Sequence, residues 1–278
     1  MFQKVAFIGL GLIGGSIARA IREKYPRVRL AARTASTQTL AYACDQGLIQ
    51  ETPGNLALLA GDADLIILAT PIELIPEYLR QVYPCAGPGA VIIDTGSTKA
   101  RIVEGAKKYA DKFIGCHPMF GSEKSGVQNA DSRLLRGARF VFTPYKNTPE
   151  PKLRAVQQFF KALGARPCRT GAREHDAAVA AISHVPYFNA AALLRLADDD
   201  ARRALAATGF QSCTRVAESD PDWGLDIART NKKEVLSGLQ TLQKELRCLE
   251  KLITRAQFPA LRCYLELSRQ TRRKIYPQ

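Results

Sequence analysis

The sequence predicts an α/β chain: a doubly wound parallel sheet in its first part, followed by an all-helical second part. Three observations predict it. Short apolar runs rich in β-branched residues alternate with helical segments up to about residue 168. A glycine-rich turn joins the first such run to the first helix. After Glu174 the strand signal almost vanishes. The expected division is therefore residues 1–168 and residues 169–278.

The elements follow in order. Val5 to Gly9 is a short apolar run ending in glycine, and Ile17, Ala18 and Ile21 then carry helical spacing. Val28 to Ala32 reads as a second strand. Leu65 to Ala69 and Ala90 to Asp94 are continuous apolar runs, as expected of parallel strands covered on both faces. Lys112 to Cys116 and Arg139 to Thr143 are further strands, and Leu153 to Leu163 is helical. In the second part, residues 174–197 are rich in alanine and leucine, with a kink expected at Pro186. Asp220 and Pro221 form a helix start, as N-cap and first helical residue. Leu239, Leu242, Leu246, Leu249 and Ile253 make a heptad-like stripe, which is either core or the seam of a homodimer.

Composition narrows the class. Seven scattered cysteines, with no CxxC pair, argue against a disulfide framework or a zinc site, and no metal is expected. No apolar run approaches the roughly 18 residues that span a bilayer, and strand-like residues from Lys4 leave no room for a signal peptide. A cytoplasmic protein without membrane partners is the expectation. The net charge of +14 has three readings: nucleic-acid binding, attraction of anionic ligands, or a solvated surface. Basic residues are dispersed and form no arm, which disfavours nucleic acid and leaves an anionic small molecule as the expected partner.

Gly9-Leu-Gly11-Leu12-Ile13-Gly14 fits GxGxxG, and it stands between a buried strand and a helix, as a Rossmann-type dinucleotide site requires. Gly9 permits the tight turn, Gly11 the approach of a pyrophosphate and Gly14 close helix–strand packing. Free N–H groups at the helix start, around Leu12 and Ile13, face the phosphates. An NAD site usually carries an acid at the end of the second strand, whereas this chain reads Arg33-Thr34-Ala35-Ser36-Thr37. Arg33 suits a 2′-phosphate, with Thr34, Ser36 or Thr37 as hydroxyl donors, so NADP is favoured. The alternative is a solvated Arg33 and an enzyme that accepts NAD as well. Thr70 and Pro71, after the third strand, are expected on the nicotinamide side.

Four further segments resemble the prephenate and arogenate dehydrogenases of tyrosine biosynthesis. They are Asp94-Thr-Gly-Ser-Thr-Lys99, Gly115-Cys-His-Pro-Met-Phe-Gly-Ser-Glu-Lys-Ser-Gly126, His175-Asp176 with Ser183-His-Val-Pro186, and Gly209 to Arg215. The resemblance implies an oxidative decarboxylation: hydride leaves C4 of a cyclohexadiene for the nicotinamide, and CO2 leaves C1. By the same resemblance His117 is the catalytic histidine and Ser97 bonds the substrate hydroxyl. Arg215 then binds a substrate carboxylate, and Ser122, Glu123 and Lys124 edge the pocket. Asp176 orients a neighbour or gates the pocket. His184 is either a pocket residue or a buried helix histidine.

Three departures from the family pattern stand out. Tyr187 occupies a position where many relatives have histidine. Trp223 stands one place before the usual tryptophan, which aligns with Gly224, and Ser212 replaces an acid. All three are expected at the end of the pocket that reads the substrate side chain, which leaves prephenate, the weakly favoured substrate, against arogenate. The rivals are a β-hydroxyacid dehydrogenase or imine reductase and a non-catalytic NADP-sensing protein. The former place a catalytic lysine or aspartate on the interdomain helix, and Glu174 to Leu196 contains no lysine.

Overall fold

The computed structural model describes residues 2–276 apart from Glu123. By compactness the chain divides into one unit ending at Lys232 and a second from Lys233 to the C-terminus. The sheet-bearing unit thus extends past residue 168 and takes in the helices through Thr230.

The first unit is built on seven strands: β1 (Lys4–Ile8), β2 (Arg29–Arg33), β3 (Leu65–Leu68), β4 (Val91–Asp94), β5 (Phe113–Met119), β6 (Arg139–Thr143) and β7 (Arg166–Arg169). Their spatial order is β2-β1-β3-β4-β5-β6-β7. Every pairing is parallel except β5 with β6. The apolar runs form β1 to β6 as the sequence predicts, and β1, β3 and β4 are buried throughout. Strand β7 was not anticipated. Its Arg-Pro-Cys-Arg is polar and lies at the sheet edge, where proline needs no donor. Strand β5 also runs further than its apolar core, because antiparallel pairing with β6 carries it from Gly115 to Met119 after pairing with β4 has ended. His117 therefore stands within a strand, opposite Val141, rather than past a strand end.

Helices α1 (Leu12–Lys24), α2 (Thr37–Asp45), α3 (Leu56–Ala60), α4 (Ile75–Val82), α5 (Ala100–Gly105) and α6 (Glu150–Ala162) cover the sheet. Two buried apolar clusters result: one gathers Phe7, Ile17, Leu30 and Phe160, the other Ile8, Ile66, Leu79 and Ile92. After β1 the chain turns to β2 on one side, while β3 lies on the other, so β1 and β3 flank the switch point.

Then come α7 (Ala172–Val179), a π-helical turn (Ala180–His184), α8 (Val185–Leu194), α9 (Asp200–Ala204), α10 (Thr208–Thr214) and α11 (Pro221–Thr230). Pro186 is the second residue of α8, directly after the π turn, and the irregularity in this helical run is that turn. Asp220 caps α11 through the Asp222 amide, as expected. Residues Ala172–Ala197 form one helical run of 26 residues, long and apolar enough to cross a membrane by length and composition, which corrects the sequence reading. The same run carries the buried side chains of His175, Asp176 and His184.

The second unit holds α12 (Lys232–Thr254) and α13 (Phe258–Ile275), and the Tyr264 hydroxyl donates to Glu245 at 2.8 Å between them. Leu246, Ile253, Phe258, Leu265 and Leu267 are all exposed.

Candidate active site

The dinucleotide loop has the geometry its glycines require. Gly9 has φ +86°, and a Cβ there would overlap the Ala69 carbonyl oxygen. At Gly14 a Cβ would lie 2.9 Å from the Gly9 carbonyl oxygen, so this glycine sets the approach of α1 to β1. Gly11 faces open space, as a backbone meant to meet a ligand should. It is also the N-cap of α1 and supplies no side chain, which leaves the first-turn N–H groups for an anion.

A cavity of about 590 Å³ opens here, lined by Gly9, Gly11, Arg33, Thr34, Thr70 and Pro71 among others. These residues fit a dinucleotide. Arg33 is half-buried and donates one N–H to the Pro53 carbonyl at 2.8 Å. Ser36 is placed differently. Its oxygen caps α2 by accepting the Thr39 amide at 3.1 Å, and it does not line the cavity. Leu12 and Ile13 line two neighbouring cavities, of about 290 and 500 Å³, rather than the first. The smaller shares Gly11, Thr70 and Pro71 with the first cavity, and Leu12, Ile13, Thr95, Ser97, Asp220 and Trp223 with the larger. The three make one continuous trench.

The larger cavity gathers His117, Ser97, Ser122, Lys124, Ser183 and Arg215. Arg215 begins the turn after α10 and is exposed, as are Ser122 and Lys124. Glu123 lies outside the described residues. His184 and Tyr187 do not line the cavity. Both are buried behind it, edge-on to Trp223, because the helix that carries them packs them into the core. Ser212 is exposed and is also outside the lining.

His117 is held by a chain of contacts. Its Nδ1 lies 2.9 Å from His175 Nε2, and His175 Nδ1 lies 2.8 Å from Asp176 Oδ1. A carboxylate only accepts, so His175 Nδ1 carries a proton, and with that ring in its neutral form Nε2 accepts. His117 Nδ1 must then donate, which leaves His117 Nε2 as that ring's acceptor. Burial above all, with the charge of Lys99 opposing a second positive charge, holds the His117 pKa well below the ordinary histidine range. The ring is therefore neutral at pH 7, the form a general base needs.

The scaffold under this chain is also polar. Asp176 accepts the Lys99 amide at 2.7 Å and the Ala100 amide at 2.8 Å, which fastens α7 to the loop that bears Ser97. The Lys99 ammonium pairs with Asp94, and both are fully buried. Asp94 further accepts the Gly96 amide at 3.0 Å and the Cys116 amide at 2.8 Å, beside His117. Cys116 itself is buried, and burial with the nearby Asp94 charge pushes its thiol pKa well up, so it is no nucleophile. Asn231 donates to the Asp176 carbonyl at 2.8 Å, and its amide nitrogen lies 3.3 Å from His184 Nδ1. Burial lowers the His184 pKa to about 4.

Sequence reasoning missed His175, Lys99, Asp94 and Asn231 as members of this network. His117 and His175 are 58 residues apart in the chain, and only the fold pairs them. The one available signal was the His175-Asp176 dipeptide beside a buried helix face.

The chain is similar to known proteins over nearly its whole length. Residues 17–168 match the family model described as prephenate dehydrogenase, nucleotide-binding domain. Residues 171–267 match prephenate dehydrogenase, dimerization domain. The prephenate dehydrogenase of Lactococcus lactis is 33% identical over 98% of this chain and 77% of its own length. The crystal structure of Synechocystis arogenate dehydrogenase is 32% identical, with TM-score 0.84, covering 98% of this chain and 99% of that one. That of prephenate dehydrogenase from A. aeolicus, in complex with hydroxyphenyl propionate and NAD+, is 26% identical, with TM-score 0.91 and 99% of both chains covered. The glycine loop, the trench and these matches agree: the chain belongs to the prephenate dehydrogenase family of oxidoreductases.

Proposed function

We propose that the chain oxidatively decarboxylates prephenate to 4-hydroxyphenylpyruvate, with NADP as hydride acceptor, in tyrosine biosynthesis. The observation that carries this reading is His117, its ring tautomer fixed by His175 and Asp176, standing with Ser97 in a cavity continuous with the dinucleotide trench. When bound, the nicotinamide accepts the hydride from C4. His117 Nε2 takes the C4 hydroxyl proton, and Ser97 bonds the same oxygen. The C1–CO2 bond then breaks, and its electron pair passes through the ring to that oxygen, which becomes phenolate. The proton returns from His117, giving a phenol, CO2 and the reduced cofactor.

Arg215 and Lys124 supply two cations at the cavity for a dicarboxylate, and the guanidinium fork suits one carboxylate bidentately. NADP over NAD is supported by Arg33 and Thr34 in the cavity wall at the end of β2, where no acid stands. Arogenate remains the second substrate, because Asp220 and Ser183 in the cavity wall offer oxygen acceptors that suit an amino group. The exposed apolar residues of α12 and α13 support a homodimer formed through them.

Absorbance at the nicotinamide band, with prephenate and arogenate each paired with NADP and NAD, tests the assignment. The expected outcome is fastest reduction with prephenate and NADP. A marked preference for NAD, or no reduction with either substrate, overturns the corresponding part.

A further inference from the structure

Trp223 is the only tryptophan in the chain, and its indole Nε1–H donates to Ser97 Oγ at 3.0 Å. Two aromatic neighbours hold its ring edge-on: His184 at a centroid distance of 6.0 Å and Tyr187 at 5.1 Å. Tyr187 in turn occupies the space beside Gly224, where a Cβ would lie 2.7 Å from the Tyr187 ring carbon Cε1 and hydroxyl oxygen. The indole is thus wedged from behind by apolar contacts, and its one polar atom faces Ser97.

An indole N–H can only donate, so Ser97 Oγ accepts and its own proton must point elsewhere. A hydroxyl that accepts one hydrogen bond becomes a stronger donor of the next. We propose that Trp223 is a positioning residue that fixes the Ser97 hydroxyl as a donor to the substrate's C4 oxygen. Negative charge gathers on that oxygen when His117 takes its proton and again when the C1–CO2 electron pair arrives, so a preset donor acts at both moments. The proposal rests on the reaction assigned above. It also gives the Tyr187–Gly224 pairing a use, as the support that keeps the indole in place.

Trp223→Phe keeps a ring in the wedge and removes only the donor. The expected result is a fall in kcat of roughly tenfold with KM within about twofold, since one donor acting through another group is lost. Ser97→Ala is expected to cost more, and the double variant no more than Ser97→Ala alone, because the indole works only through the hydroxyl. A purely packing role for Trp223 makes the two losses multiply and overturns the proposal. A second readout needs no turnover. Because Trp223 is the sole tryptophan, Ser97→Ala is expected to blue-shift the emission of the free protein, while His117→Asn leaves it in place. Unchanged emission in Ser97→Ala overturns the hydrogen bond even if Trp223→Phe fails to fold. If the wild-type protein turns over neither substrate, the reaction assignment fails, and the emission still decides whether Trp223 holds Ser97.

Discussion

His175 presents its Nε2 to His117 Nδ1 at 2.9 Å, and through that contact the carboxylate of Asp176 decides which nitrogen of His117 carries the proton. Replacing His175 with phenylalanine keeps a ring of similar volume and removes the acceptor. His117 is then free to adopt the other tautomer. The expected loss in kcat is about 10²–10⁴-fold, with little change in KM. His117→Asn should cost at least about two orders of magnitude while cofactor binding, followed by calorimetric titration, stays intact. Retained turnover in either variant would falsify the relay.

The two lowered histidines make stability depend on pH. For His117 and His184 the folded pKa lies below the ordinary 6.5, to about 4 for His184. The unfolded chain therefore binds protons first as pH falls, so the stability they contribute is present above 6.5 and declines from there toward about 4. The other groups facing His184 are Asp176 and His175, which act in opposite directions. Urea midpoints measured across this range should fall steadily with acidification, and the acid limb of kcat/KM should lie below 6.5. A midpoint that is flat or rises with acid contradicts the assignment.

The glycines of the loop separate strain from ligand approach. Gly9→Ala meets both a positive φ and the Ala69 carbonyl, so it is expected to lower thermal stability by about 1–3 kcal/mol and to weaken cofactor binding. Gly11→Ala meets nothing within 4 Å, so the melting temperature should hold while cofactor affinity drops. Equal effects of the two changes on melting are the outcome against this reading.

Arg33→Ala tests the 2′-phosphate contact. NADP affinity should fall by about tenfold or more, as expected when a charge-assisted hydrogen bond is lost, and NAD affinity should change little. Parallel losses for both cofactors would instead assign Arg33 to holding the Pro53 loop through its 2.8 Å bond.

Lys99→Met removes the only cation paired with the buried Asp94 among the described residues. The stranded carboxylate is expected to destabilise the fold by about 3–5 kcal/mol, readable as a lowered denaturant midpoint. The double change Lys99→Met with Asp94→Asn should recover part of the loss, and failure to do so points to packing rather than charge.

Much of this was legible in the sequence because its physics is local. A strand that must be buried on both faces is a run of apolar residues, and a turn that must take positive φ is a glycine, so β1, the loop and α1 could be read directly. His117, Ser97 and Arg215 were legible through their flanking motifs, and all three line one cavity. What stayed hidden is relational. Strand β7 is polar and owes its existence to β6, and the Asp94–Lys99 pair reads as an ordinary helix approach. Tyr187 and His184 lie on the predicted helix but behind the site, since burial is decided by what packs against a face and not by its residue types.

The π turn at Ala180–His184 settles which way that face looks. In an unbroken α-helix the step from His175 to His184 is about 2.5 turns, which sets the two rings on opposite sides. A wider turn absorbs about one residue of that advance and brings them within roughly a quarter turn of one another. Asn231 can then touch both the Asp176 carbonyl and the His184 ring from a single position. The extra residue acts as a phase shift in the helix: it lets one continuous element serve the proton relay and the support beneath Trp223 together.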